Sequence, residues 1–141
     1  MKWLLALVAF ALAAALAVQS ANQVEKKDFS SVTKYEHVLA GPLTEFNGKY
    51  KFRISELTFA PGGYIGEHHH AGPGIRLIES GELTFIQGDS TTVFKAGDYF
   101  FEPGDVTHTG YNKTDKPLTI LSFELLPADW SGGSAIPAHK K

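Results

Sequence analysis

The chain has 141 residues and a formal net charge of −2, with 43% of its residues hydrophobic and 20% charged. This length suits a single domain with one hydrophobic core, and the composition is that of a globular protein. A nucleic-acid-binding protein should carry a basic excess, which this chain lacks, so we expect no nucleic-acid partner. There is no cysteine, which excludes disulfides and thiolate metal ligands, but there are six histidines.

The first 20 residues predict a secretory signal peptide. Lys2 provides a basic start, an uncharged run extends from Leu4 to Val18, and the small residues Val18 and Ser20 are placed for cleavage before Ala21. The alternative is a membrane anchor, but a run of about 15 residues is short for about 30 Å of hydrocarbon. We therefore expect an exported protein, periplasmic or secreted, with no stable membrane anchor after cleavage.

Composition and patterning divide the remaining chain into three segments. Residues 21–48 form a polar N-terminal arm with room for one or two short strands. Residues 49–127 contain seven or more short apolar runs about ten residues apart, separated by Gly- and Pro-rich turns, with almost no helical periodicity. Residues 128–141 form a C-terminal tail. This pattern predicts an all-β fold, either a sandwich or a barrel.

The first predicted strand of this domain changes its apolar parity. Polar and apolar residues alternate over residues 50–55, but Leu57 and Phe59 continue the apolar series on the other parity. This change predicts a β-bulge near Glu56. The Pro-Gly-Gly sequence at residues 61–63 predicts a turn before the next strand.

Three of the six histidines are consecutive and end a predicted strand. Side chains two residues apart on a strand share a face, so His68 and His70 project together and His69 projects oppositely. Two imidazoles on one face can bind a cation at about 2.0–2.2 Å, and His108 is the candidate third ligand. Three neutral imidazoles would leave open positions on the metal for water or substrate. The alternative interpretation of the histidine run is an exposed polar turn.

These residues resemble the two signature motifs of the cupin superfamily. The first motif, G-x5-H-x-H-x3-E-x6-G, is matched by Gly62, His68, His70 and Gly81. The second motif, G-x5-P-x-G-x2-H-x3-N, is matched by Gly97, Pro103, His108 and Asn112. The chain departs from the pattern at the acidic position of the first motif, which is Gly74, and at the second glycine of the second motif, which is Asp105.

The resemblance implies a single-domain β-barrel of six to eight strands, a jelly roll of two packed antiparallel sheets. It implies a divalent metal held by His68, His70 and His108, and a small-molecule ligand or substrate. The metal stays open among Fe, Mn, Zn, Ni and Cu, because any imidazole site favours copper and zinc over iron. Cupins commonly dimerise, and exposed strand edges also favour a homodimer.

Gly74 removes the carboxylate ligand that is usual in the family. Without it a divalent ion keeps its full charge, and the site should favour an anionic ligand or a bound hydroxide. Alternatively Glu67, Glu79 or Glu102 supplies a carboxylate, and we favour Glu102 because it ends a predicted strand. Some cupin dioxygenases use three-histidine iron sites, so an oxygenase or isomerase is one interpretation. The other is a non-enzymatic barrel that binds a metal or a small ligand. No catalytic residue is assigned.

Arg76 follows Gly74 by two residues, so on a regular strand it shares the face towards the barrel interior. One interpretation is a bidentate clamp for a substrate carboxylate. The alternatives are a structural ion pair with Glu102 or Glu56, or a register that turns Arg76 outward. Weaker predictions place three aromatic side chains in the pocket wall, with plain core packing as the alternative: Tyr64, Phe100 and Tyr111.

Overall fold

The computed structural model describes residues 23–138, so the predicted signal peptide at 1–20 and the end of the tail lie outside the described residues. Residues 23–138 contain no helix that is long and apolar enough to cross a membrane. The described residues form nine strands: β1 (Lys26–Val38), β2 (Tyr50–His70), β3 (Gly74–Ser80), β4 (Glu82–Gln87), β5 (Ser90–Lys95), β6 (Tyr99–Glu102), β7 (His108–Tyr111), β8 (Leu118–Pro127) and β9 (Ala135–Pro137).

The strands pair antiparallel into a nearly closed barrel with the order β5-β4-β7-β2-β8-β3-β6, and β1 and β9 also pair with β2. The first half of β2 lies between β1 and β8, and together with β3 and β6 these strands form what we call the first wall. The second half of β2, β7, β4 and β5 form the second wall. The predicted all-β barrel is confirmed. The arm forms one strand, β1, within the one or two predicted for it, and the tail adds β9, which was not predicted.

Strand β2 belongs to both walls because it bends without ending. The predicted turn at residues 61–63 is wrong, since β2 continues through them with Gly62 at a φ of 74°. The buried side chain of Asn112 holds this bend by donating hydrogen bonds to the carbonyl oxygens of Phe59 and Ala60. The bend turns the second half of β2, which carries the histidine run, into the second wall.

The predicted bulge near Glu56 does not lie in β2: the register shift beside it is in β1, where Lys34 is the extra residue opposite Ile54 and Ser55. Strand β2 pairs with β8 from Tyr50 to Phe59 without a register shift. Every second side chain over this stretch is inward-facing and at least partly buried: Lys51, Arg53, Ser55, Leu57 and Phe59. The apparent change of parity arises because the inner face itself changes from polar to apolar along the strand.

Cross-strand register extends this change across the whole first wall. A charged inner row contains Glu36, Arg53, Glu124, Gly74 and Glu102. The next row is mostly polar: Thr33, Ser55, Ser122, Arg76 and Phe100. Below it lies the apolar end of the interior, which we define by its buried core residues: Phe59, Ile65, Ile78, Leu83, Phe85, Leu118 and Ile120.

Candidate metal centre

The three histidines predicted as metal ligands lie together in the interior, where the ring of His108 stacks on Phe85 of the apolar end with centroids 4.8 Å apart. His68 and His70 come from β2, and His108 begins β7 as the cross-strand partner of His68. The centroid of the His68 ring lies 4.3 Å from that of the His108 ring and 4.9 Å from that of the His70 ring. One nitrogen from each ring lies within 4.8 Å of the others, so the cluster can hold a metal ion. We call these histidines, with Arg76, Glu102 and Glu124, the charged end.

Backbone carbonyl groups orient two of the imidazoles. His68 Nδ1 lies 2.7 Å from the carbonyl oxygen of Gly66, and His108 Nδ1 lies 3.0 Å from that of Val106. A carbonyl oxygen can only accept, so Nδ1 is the donor in both rings, and in a neutral ring the lone pair is on Nε2. A metal-binding imidazole commonly has its other nitrogen held in this way.

The third imidazole, that of His70, lies between two carboxylates. Its Nδ1 lies 3.2 Å from Ser134 Oγ and 3.4 Å from Glu124 Oε1. Its Nε2 lies 3.1 Å from Glu102 Oε2, and the other Glu102 oxygen is 3.2 Å from His108 Nε2. Nε2 of His70 and of His108 therefore share the carboxylate of Glu102, which the sequence favoured as the fourth ligand.

The Glu102 carboxylate has an oxygen available for a cation. Glu102 is 5% exposed, and its Oε2 has no hydrogen-bond partner among the described residues. This oxygen lies 2.5 Å from Arg76 Nη2 and 3.1 Å from His70 Nε2. A buried carboxylate oxygen beside imidazole nitrogens fits a divalent cation. The residues present therefore fit the metal that the resemblance implies.

The absence of a carboxylate at position 74 has a structural cause. A Cβ atom on Gly74 would lie 2.3 Å from Arg76 Nη1 and 2.7 Å from the carbonyl oxygen of Phe123. The guanidinium of Arg76 therefore fills the space that a side chain at position 74 would need. Gly74 is the register partner of Glu102 on β6 and of Glu124 on β8. The carboxylates thus stand on the two strands that flank the usual position.

Arg76 faces the interior and is 2% exposed. Its Nη2 donates to Glu124 Oε1 at 3.2 Å and contacts Glu102, so the structural ion pair is the alternative that the structure shows. Glu56 does not take part, because it pairs with Lys34 on the surface at 3.0 Å. The structure does not turn Arg76 outward, and it adds Glu124 as a partner that the sequence did not predict.

The pKa values of the ionisable groups at the charged end are shifted in different directions by their surroundings. Burial and the neighbouring imidazoles lower the pKa of His68 to about 3. Burial also lowers the pKa of His70, but Glu102 and Glu124 outweigh it, so the pKa of His70 is raised. Burial raises the pKa of Glu102, yet Arg76 and the two adjacent histidines hold it well below the usual value. Burial also raises the pKa of Glu124, which His70 and Arg76 bring below its usual value.

The histidine cluster opens into a cavity of about 690 Å³ inside the barrel. Its wall includes Phe100, as predicted, together with Phe85 and Ile120 of the apolar end. The arm and the tail border the same cavity, and they contribute Glu36 and Ser134. The structure thus offers a small molecule a mixed polar and aromatic space directly beside the three imidazoles.

The prediction that Tyr64 and Tyr111 line the pocket is corrected by the structure. They are cross-strand partners on β2 and β7, with ring centroids 5.4 Å apart. Both border a separate surface groove, where the Tyr64 hydroxyl donates to Glu25. Strand alternation explains the correction, because the next residue pair along these strands is Ile65 and Gly110, which border the cavity.

Sequence reasoning missed two side chains of the site. Glu124 had a usable signal, because it falls on the same parity of β8 as Leu118 and Ile120 and is therefore a charge on a buried face. Ser134 had none. Its Oγ donates to Glu124 Oε1 at 2.5 Å only because β9 pairs with the histidine run of β2 and brings the tail over the barrel.

Comparisons with known proteins agree with this geometry. Residues 55–124, from β2 into β8, match the family model for the cupin domain. No match is found among curated protein sequences.

Solved structures share the fold at low identity. An uncharacterised Klebsiella pneumoniae protein with a double-stranded β-helix domain gives a TM-score of 0.58 at 19% identity, over 86% of this chain and 95% of that one. The polyketide cyclase RemF from Streptomyces resistomycificus gives a TM-score of 0.57 at 15% identity, over 86% of this chain and 84% of that one. A cupin superfamily protein from Desulfitobacterium hafniense gives a TM-score of 0.53 at 20% identity, over 74% of this chain and 83% of that one. With this barrel and both motifs in agreement, the family match identifies residues 55–124 as a cupin domain.

Proposed function

We propose that this protein binds a divalent metal ion through His68, His70, His108 and Glu102, and that the barrel cavity binds a small molecule beside it. One observation carries the proposal: the three imidazoles lie together, each with a polar group at Nδ1, and the Nε2 atoms of His70 and His108 lie 3.1 and 3.2 Å from the buried Glu102 carboxylate. Glu102 would then replace the carboxylate that is absent at Gly74. When bound, a divalent ion supplies a Lewis acid with positions open to an external ligand.

The surrounding side chains would hold these ligands in place. Ser134 and Glu124 contact the outer nitrogen of His70, and Arg76 contacts both carboxylates. Such outer partners typically change metal affinity by about 10- to 100-fold when they are removed. The raised pKa of His70 also means that a proton must leave its Nε2 before that atom can bind a cation. We therefore expect metal affinity to rise with pH through the neutral range.

Charge balance supports a small anionic ligand. The ion-paired side chains along the cavity comprise three cations and three carboxylates: Lys51, Arg53, Arg76, Glu36, Glu102 and Glu124. A divalent ion adds two positive charges that no described side chain offsets. A bound anionic group would reduce the cost of burying that charge.

The activity that we propose for this centre is an oxygenase or isomerase reaction on a small molecule. Fe(II) would be the ion that oxygen chemistry requires. The same barrel carries an enzyme in RemF, which is described as a polyketide cyclase. The alternative is capture of a metal or ligand without turnover. Oxygen consumption by the iron-loaded protein in the presence of small carboxylic acids would support the oxygenase, and binding without consumption would support capture.

Metal titration tests the binding site. We expect His68→Ala, His70→Ala and His108→Ala each to lower the affinity for Zn²⁺ or Mn²⁺ by at least about 100-fold. His37→Ala is the matched control, because His37 lies on β1 away from the cluster, and it should leave the affinity unchanged. Elemental analysis of protein from its native compartment would identify the ion. Equal affinity in the wild type and the three cluster variants would contradict the proposal.

A second pair of variants tests the role of Glu102. Glu102→Gln should reduce metal affinity more than Glu124→Gln does, because only Glu102 contacts Nε2 atoms of the cluster. Both carboxylates are buried and both contact Arg76, so the second variant controls for the loss of a buried charge. Equal losses in the two variants would contradict direct ligation by Glu102.

We also propose that the protein is exported, on the pattern of residues 1–20 alone. The N-terminus of protein recovered from the periplasm or medium should be Ala21. A chain that begins at Met1 and stays in the membrane fraction would contradict export with cleavage.

A further inference from the structure

The inner face of β2 carries two buried cations, Lys51 and Arg53, which we call the cation pair. They are 8% and 5% exposed, and both line the cavity. Among residues 23–138 they share one carboxylate, that of Glu36. It lies 3.3 Å from Lys51 Nζ and also accepts a hydrogen bond from Arg53 Nε. Two buried cations beside one carboxylate leave an excess of one positive charge.

The other hydrogen bonds of the cation pair go to uncharged groups of the tail. Lys51 Nζ donates to the carbonyl oxygen of Trp130 at 2.7 Å. Arg53 Nη1 donates to that of Gly132 at 2.6 Å. Residues 131–133 are exposed, and a Cβ atom on either glycine of this segment would have no atom within 4 Å, so the segment is loosely packed. A carboxylate binds a buried cation more strongly than a carbonyl group does, so an acidic ligand can replace these carbonyl oxygens.

The two parts of the charged inner row carry equal excess charge once a divalent ion is bound. At the charged end, the ion and Arg76 contribute three positive charges against the two negative charges of Glu102 and Glu124, with neutral imidazoles. The cation pair and Glu36 likewise leave one positive charge. A ligand with an acid group at each place would offset both buried charges, whereas a monoacid would offset only one.

Cross-strand register gives the distance between these two places. Arg53 pairs with Glu124 on β8, and Glu124 pairs with Gly74 on β3. His70 lies between the carboxylates of Glu124 and Glu102, which flank Gly74. The histidine cluster is therefore about two strand spacings, about 10 Å, from Arg53. Metal coordination takes up about 2 Å of this span and a charge-assisted hydrogen bond about 3 Å, which leaves about 5 Å between the acid groups.

We propose that the cavity ligand is a diacid of this length, with one acid group at the metal centre and the other bound by Lys51 and Arg53. Succinate and glutarate have acid groups about this far apart, whereas those of oxalate are directly bonded to each other. Phe85 and Phe100 line the cavity and provide apolar contacts for the carbon chain. The inference rests on the proposed metal centre for the first acid group, but the cation pair is a separate site for the second.

Calorimetric titration of the Zn²⁺-loaded full chain, as the expressing cell processes it, tests the second acid group. Glutarate and pentanoate are the probes, because they have the same number of carbon atoms and differ by one acid group. We expect glutarate to bind at least about 10-fold more tightly. Lys51→Met and Arg53→Gln should each remove this difference. Lys34→Met is the matched control and should keep it, because Lys34 pairs with Glu56 on the surface, outside the cavity.

The fluorescence of Trp130 gives a second measurement of the same event. The chain has two tryptophans, and the other, Trp3, lies in the predicted signal peptide. Glutarate should change the fluorescence of Trp130, because its carboxylate takes the place of the Trp130 carbonyl oxygen on Lys51. Pentanoate should leave the fluorescence unchanged, as should glutarate added to Lys51→Met.

Equal affinity for glutarate and pentanoate in the Zn²⁺-loaded wild type would overturn this inference and leave the proposed metal centre in place. Tighter binding of oxalate than of glutarate would also overturn it, as would a glutarate affinity that is unchanged in both variants of the cation pair. A wild type that binds no Zn²⁺ would instead contradict the metal centre, and a preference for glutarate that depends on Lys51 would still support the second acid site. If circular dichroism shows that Arg53→Gln does not fold, Lys51→Met and the wild-type comparison decide.

Discussion

The two ends of the barrel interior are stabilised in different ways, although the same strands build both. At the apolar end, Phe59, Ile78 and Leu118 are at most 2% exposed and need only close packing. At the charged end, Arg76, Glu102 and His68 are equally buried, but each needs a particular partner. The strand topology is the same at both ends, so it does not explain why only one end forms a site. The two ends differ in the side chains at their inward positions, and the close packing of the apolar end stabilises a barrel whose other end buries charges.

The largest expected effect lies at the apolar end. Phe59→Ala should lower the free energy of unfolding by about 3–5 kcal/mol, because it leaves a cavity beside Phe29, whose ring lies 4.8 Å away. Urea denaturation measures this loss. The Zn²⁺ affinity of the folded variant should stay within about threefold of the wild type, since Phe59 contacts no ligand. A large loss of affinity would show that the two ends are not separable.

Removal of the guanidinium of the charged end should have a slightly smaller effect. Arg76→Met should cost about 3 kcal/mol at pH 7, because two buried carboxylates lose the guanidinium that pairs with both. The pKa values of Glu102 and Glu124 lie below the usual value, so their contribution is present above about pH 4.5 and is lost as the pH falls. The cost of Arg76→Met should therefore shrink towards pH 4.

The controls for that prediction are a surface pair and a double variant. Lys34→Met removes the cation of the exposed pair with Glu56 and should cost less than about 1 kcal/mol. Arg76→Met/Glu102→Gln should recover part of the loss, because only one buried carboxylate, Glu124, then lacks its guanidinium. Urea denaturation at pH 7 and pH 4 measures all of these variants. A pH-independent cost for Arg76→Met would argue against charge as its cause.

The smallest expected effect is the change with pH in the free energy of unfolding of the metal-free protein. The pKa of His68 is about 3 in the folded chain and about 6.5 when unfolded, so between these values only the unfolded chain takes up the proton. Unfolding should therefore become easier as the pH falls from 6.5 to 4.5, by up to about 1.4 kcal/mol per pH unit. His68→Leu should flatten this slope, whereas His37→Ala should keep it.

His70 contributes to the pH dependence of stability with the opposite sign to His68. Its pKa is raised in the folded chain, so its contribution is present below about pH 6.5 and is lost as the pH rises through the folded value. It therefore adds little slope in the window where His68 acts. Equal slopes in the wild type and His68→Leu would show that His68 is not the titrating group.

Much of the architecture and part of the site could be predicted from local patterns. The short apolar runs and turns indicate an all-β barrel, which the structure confirms. Strand parity and the two motifs select His68, His70 and His108, which the structure brings together. Local patterns failed at Pro61, Gly62 and Gly63, among other places, because a bend and a turn have the same composition.

The sequence by itself determined which residues can form strands and which imidazoles can share a face, because both depend on the period of two within one strand. Only the tertiary structure decided which face of each strand lies inside. Alternation defines two faces but not their direction, so Tyr64 could be expected in the pocket while Lys51 and Arg53 line it. Register between distant strands likewise decided that Glu102 and Glu124 flank Gly74 and share Arg76, because no local pattern records which strands become neighbours.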